Sequence, residues 1–180
     1  MKEEITAVLR QAAERGLPSL LIGAHAVIIL GYIRNTADLD LLVPEEKRSE
    51  WLDLLRELNF RFFHGTDVFV QLEAGTPGGV PVDLMFVDAP TWSRLCEGAS
   101  VKDLGGAPVL VPKPEHLVAL KLHSAMSPTR SKPAVDWEDI RQIVRICGLD
   151  PEEESFRDLI MGYGGSDALA RIRDFAKISG

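Results

Sequence analysis

Asp38 and Asp40 stand one residue apart in a run that continues Leu41, Leu42 and Val43. In an extended strand successive side chains point to opposite faces, so the two aspartates project together while Leu39 and Leu41 face the other way. Two carboxylates on one face repel, by about 4 kcal/mol at a separation near 4 Å and an effective dielectric of about 20. A hard divalent cation puts such a pair to use, and Mg²⁺ in particular takes one or two carboxylates together with substrate phosphates. The structural alternative is that Asp38 caps a turn and Asp40 lies on a solvated edge. A third acid, Asp83, is the one charge in the run Val-Pro-Val-Asp-Leu-Met-Phe-Val at residues 80–87. An aspartate in so apolar a strand is rarely buried unless it is paired or binds a metal; the alternative is an edge strand with Asp83 facing water. Asp88, just past the run, is a secondary candidate.

Several elements must position these acids. Residues 17–22 read as a buried strand, Gly23 and Ala24 as a tight turn of small residues, and residues 25–32 as a buried helix leading into the acidic strand. Small residues at a helix start let backbone N–H groups approach a phosphate, and the helix dipole favours negative charge there. Residues 17–33 contain no Asp, Glu, Lys or Arg. They fall short of the roughly 20 apolar residues of a spanning helix, and Pro18, Gly23, His25 and Gly31 interrupt them, so a soluble core is expected and no membrane partner.

Gly23-Ala24 followed by Arg34-x-Thr36-x-Asp38-x-Asp40 resembles the signature of the nucleotidyltransferase (polymerase-beta-like) superfamily, and within it the small bacterial AbiEii-type enzymes. Ala24 stands where that family usually has Gly or Ser. Residues 114–124, Pro-Glu-His-Leu-Val-Ala-Leu-Lys-Leu-His-Ser, resemble a further block of the family whose lysine is associated with the nucleotide phosphates. Leu117, Leu120 and Ser124 line one face of that helix with Lys121 beside them, and the alternative for Lys121 is a solvated surface charge. AbiEii-type enzymes often carry an Arg-x-Lys-Asp-x-x-Asp block; here Asp136 and Asp139 keep the acidic spacing, but Pro133, Ala134 and Val135 separate them from Arg130 and Lys132.

The resemblance implies a mixed α+β fold, with a twisted mixed sheet flanked by helices in residues 1–112 and a helical region, 113–180, packed on it. It implies metal-dependent transfer of a nucleoside monophosphate from an NTP, with Mg²⁺ or Mn²⁺ held by Asp38, Asp40 and Asp83. Gly23, Ala24, Arg34, Thr36 and Lys121 would serve the nucleotide. The implied acceptor is an RNA such as tRNA, a partner protein or a small molecule, in a bacterial defence or toxin–antitoxin setting. The competing class is a catalytically silent nucleotide-binding or antitoxin-like module, which loss of an acidic ligand would signal; all three acids are present.

Elsewhere the 180-residue chain reads as ordinary scaffold. Its net charge of −7 argues against a broad DNA-binding surface. Cys96 and Cys147 form neither a disulfide framework nor a metal cluster and read as small buried hydrophobes. The start of the chain lacks the pattern of a signal peptide, so the cytoplasm is the expected compartment. Helical spacing is expected over residues 2–15, from Pro44 through Leu58 with Trp51 in the core, over 114–125 and 134–147, and in two tail helices split near Gly162–Gly165. Strands are expected from Phe60 to His64, Asp67 to Leu72 and Val80 to Val87, with a hairpin around Gly105 and Gly106. No separate second core is expected.

Overall fold

The computed structural model describes residues 3–128 and 131–177. The chain divides into two compact units, Met1–Ala26 with Asn35–Pro112, and Val27–Arg34 with Lys113–Gly180.

The first unit is built on a seven-stranded mixed sheet. Helix α1 (Glu3–Glu14) buries Ile5, Val8, Leu9 and Ala12, an i, i+3, i+4, i+7 stripe that marks a helix with one apolar face. After the short strand β1 (Leu20–Leu21) the chain enters α2 at Gly23 and returns as β2 (Leu39–Pro44). A 3-10 turn (Glu45–Lys47) leads into α3 (Arg48–Glu57), whose Trp51 is fully buried and donates its indole N–H to the Pro18 carbonyl at 3.1 Å. The ring is therefore core, not an exposed platform. Strands β3 (Phe60–Gly65), β4 (Phe69–Ala74) and β5 (Val82–Val87) follow, then α4 (Ala89–Cys96) and the hairpin β6 (Ser100–Asp103) and β7 (Pro108–Val111).

The strand order is β3-β4-β5-β2-β1-β7-β6. Strands β2 and β5 run parallel, as do β1 and β7, and the remaining pairs are antiparallel. This is the mixed sheet with flanking helices that the sequence implies. Strand β5 lies between β4 and β2, so Asp83 is on an interior strand and not on an edge. On β5 the residues Val82, Leu84 and Phe86 are buried while Asp83, Met85 and Val87 are half-exposed. On β2 every residue is buried except Asp40.

The second unit comprises the segment Val27–Arg34 and helices α5 (Pro114–Ala125), α6 (Pro133–Cys147) and α7 (Glu154–Lys177), which pack on one another. Its buried apolar residues include Leu117, Leu122, Ile140, Ile143, Phe156, Ile160 and Ile172. Segment 27–34 groups with these helices although it precedes the acidic strand in sequence. The tail helices meet at Gly165, whose φ of 69° breaks the helical backbone where the glycine cluster predicts a split. Cys96 and Cys147 are free and half-buried, less enclosed than the sequence suggests.

Candidate functional site

The acidic centre lies in the first unit. Asp38, just ahead of β2, Asp40 within it and Asp83 on the neighbouring strand each present a carboxylate oxygen, and these three oxygens lie within 4.8 Å of one another. Two features of the fold bring them together. Asp40 and Asp83 face each other in the parallel β2–β5 register, and Asp38 lies two residues before Asp40 on the same side. Among the described residues this is the one group of three or more acidic, histidine or cysteine side chains able to share a metal ion.

The fit to a cation is visible in Asp83. Its Oδ1 is buried and has no hydrogen-bond partner among the described residues. A buried carboxylate oxygen left unsatisfied costs free energy, and a bound cation removes that cost. Burial is also the main reason the Asp83 carboxyl is pushed up to about 6; a hydrogen bond from Gln71 opposes the rise, and the charge of Asp38 adds to it. Mutual repulsion within the cluster is on the order of 3 kcal/mol per pair at an effective dielectric of about 20. The residues present therefore suit a hard divalent cation: oxygen donors, like charges held close, and one donor atom kept clear of other partners.

The surrounding residues hold the acids in place. Thr36 donates its hydroxyl to Asp38 Oδ1 at 2.7 Å. The Ile22 amide donates to the Asp40 backbone carbonyl at 3.1 Å, tying the entry of α2 to the acidic strand. At that entry Gly23 has a φ of 60°, and a Cβ built there would run into the Asp40 carboxylate. The sequence offers Gly23 as a phosphate cradle; the structure adds a different reason, that only glycine lets the backbone pass so close to Asp40. Helix α2 (Gly23–Ile29) spans two turns, and Ala24 is buried, so its side chain is not presented to a ligand.

Lys121 and Arg34, which the sequence resemblance associates with the nucleotide, are paired with carboxylates. Both belong to the second unit and converge on Asp139: Lys121 Nζ lies 2.7 Å from Asp139 Oδ2, and Arg34 Nε 3.2 Å from Oδ1. Lys121 also meets Asp136 Oδ1 at 3.2 Å, and the Ser124 hydroxyl donates to the other oxygen of that carboxylate. Asp136 and Asp139 are 0% exposed and the Lys121 side chain only 12%. Lys121 is thus a partner of two buried carboxylates and not a solvated surface charge. The i, i+3 spacing of Asp136 and Asp139 on α6 is the sequence signal for this cluster, since it sets both on one helix face. Lys132 is exposed just before α6, and Arg130 lies outside the described residues. Asp88 is accounted for otherwise: it caps α4 by accepting the Thr91 amide at 2.9 Å.

Sequence reasoning passed over Gln71. It occupies the β4 position directly opposite Asp83, and no motif in the sequence marks it.

Several known structures are similar to this chain. ANT(2")-Ia, in complex with adenylyl-2"-tobramycin, superposes with a TM-score of 0.61 at 20% identity, covering 98% of this chain and 97% of that one. The lincosamide antibiotic adenylyltransferase LnuA, lincomycin-bound, gives 0.61 at 14% identity over 81% of this chain and 98% of its own. An antigenic nucleotidyltransferase-like protein from Paracoccidioides brasiliensis gives 0.57 at 16% identity, covering 93% and 90%. At these identities the likeness is one of fold, and the fold is that of the nucleotidyltransferases. No family model and no curated protein sequence matches the chain.

Proposed function

We propose that the protein is a metal-dependent nucleotidyltransferase that moves a nucleoside monophosphate from an NTP to an acceptor. The observation that carries the reading is the convergence of Asp38, Asp40 and Asp83 within 4.8 Å on a nucleotidyltransferase fold, with one buried oxygen of Asp83 unpartnered. Divalent metal, Mg²⁺ or Mn²⁺, supplies charge neutralisation at the triphosphate and at the attacking oxygen in such reactions. Asp38 and Asp40 would hold it together with Asp83, and Thr36 restrains the Asp38 carboxylate through its hydroxyl. Asp83 orients the acceptor. Its carboxylate would complete the ligand set and, on the acceptor side, take the acceptor's proton as the new bond forms. The acceptor oxygen attacks the α-phosphorus, the bond from that phosphorus to the bridging oxygen breaks, and pyrophosphate leaves with the electron pair.

Lys121, Arg34, Gly23 and Ala24 enter this reading through the sequence resemblance, which associates them with the nucleotide. The same resemblance supports an AbiEii-type enzyme in a bacterial defence or toxin–antitoxin setting, with tRNA or a partner protein as acceptor. Similarity to ANT(2")-Ia over almost the whole of both chains favours a small-molecule acceptor instead, and we take that as the leading assignment.

The test is transfer of label from α-labelled NTPs, with Mg²⁺ or Mn²⁺, onto a panel of small hydroxylated amines and onto tRNA. The reading predicts a labelled product with one acceptor class and none with Asp40→Asn. A wild-type chain that binds no NTP with either metal contradicts it and favours the silent module.

A further inference from the structure

The register of the sheet sets four polar side chains in one row across its strands. Asp40 on β2 faces Asp83 on β5, Asp83 faces Gln71 on β4, and Gln71 faces His64 on β3. Val70 and Leu72, the neighbours of Gln71 along β4, are buried on the opposite face, so Gln71 shares the face of the acids. Its side chain acts on the Asp83 carboxyl, holding it below where burial alone would push it. Because an ionised carboxylate only accepts, the Gln71 amide N–H₂ is the donor. Directly opposed residues of an antiparallel pair have Cβ atoms about 5 Å apart, the spacing at which an amide and a carboxylate meet without strain.

Gln71 thus faces Asp83 from the β4 side, while Asp83 Oδ1 stays buried and unpartnered and the residue stands in the acidic group with Asp38 and Asp40. A carboxylate free to rotate about its Cβ–Cγ bond would present that oxygen only part of the time. We infer that Gln71 is a positioning residue for the metal centre, fixing the Asp83 carboxylate so that its free oxygen completes the three-acid cation site. The inference rests on the metal-dependent reading of the acids and adds the outer partner that the reading leaves unassigned. Outer-shell partners of metal-ligating side chains commonly change metal affinity by 10–100-fold when removed.

The experiment is a titration with Mn²⁺ alone, following the free-ion electron paramagnetic resonance signal, on the full chain and on Gln71→Met, Gln71→Leu and Asp83→Asn. Circular dichroism melts are run on the same samples. Methionine keeps the length of the glutamine and removes the donor. We expect Gln71→Met and Gln71→Leu to weaken Mn²⁺ binding about 10-fold or more, while their metal-free melting temperatures stay at or above that of the unaltered chain. Asp83→Asn should weaken it further. Unchanged Mn²⁺ affinity in both glutamine variants overturns the positioning role while leaving the metal site standing. Failure of both variants to fold assigns Gln71 to the scaffold and also overturns it. No Mn²⁺ binding by the unaltered chain overturns the metal reading itself, and the inference with it.

Discussion

Asp40 is the acid whose replacement separates function from folding most cleanly. Asn keeps its shape, removes one of three crowded charges, and leaves the tight approach of Gly23 undisturbed. Metal-free stability should stay level or rise by about 1 kcal/mol, the pattern of a site whose activity costs stability, and the Mg²⁺-induced rise in Tm should disappear. A structural aspartate would instead lose about 1–3 kcal/mol with or without metal. Gly23→Ala should fail in the opposite sense. Its positive φ costs a Cβ-bearing residue roughly 1–2 kcal/mol, and the Asp40 carboxylate must also move, so both Tm and Mn²⁺ affinity should fall. Asp83 sets the pH dependence. Its carboxyl is raised to about 6 from an unfolded value near 4, so the folded state binds the extra proton. That stabilising contribution is fully present below pH about 4 and is lost as pH rises through about 6. Metal binding runs the other way, because the ligand must be deprotonated: Mn²⁺ affinity should be flat above pH 7 and decline below 6, read by titration at each pH.

Among the elements, β2, β5 and the helices after residue 113 announce themselves in the sequence, and the pairing and packing of these elements do not. Alternation of Asp38, Leu39, Asp40 and Leu41 gives both the strand and the shared face of its acids. The single charge in residues 80–87 gives Asp83. Neither pattern reveals which strands are neighbours, so the parallel pairing that sets Asp40 against Asp83, and the antiparallel one that sets Gln71 against Asp83, emerge only from the sheet. Lys121 shows the same limit. A lysine among leucines at helical spacing looks like a surface charge until α6 is packed against α5 and supplies Asp136 and Asp139. Gly23 was legible as a small residue at a turn, but its clearance from the Asp40 carboxylate depends on a contact seventeen residues on. The α5–α6 cluster carries its own prediction. Lys121→Met removes the ammonium that Asp136 and Asp139 share, and breaking a buried pair from one side costs on the order of 3 kcal/mol. The melt should shift down accordingly. Lys121→Met with Asp136→Asn together should recover part of the loss, because one of the two acids that faced the lost ammonium is then neutral.

At the scale of the molecule, an acidic chain of net charge −7 that gathers three carboxylates at one point repels a free triphosphate. Metal reverses the sign of that encounter, so the nucleotide should bind strongly only when the cation is present. No helix among the described residues is long and apolar enough to cross a membrane. Calorimetry of the four NTPs, with and without Mg²⁺, on the unaltered chain and on Asp38→Asn with Asp40→Asn, tests this most directly. The account predicts that at least one NTP binds only when Mg²⁺ is present, and that the double variant abolishes the binding while keeping its fold. Binding of no NTP under any condition, or equal binding with and without metal, would contradict it.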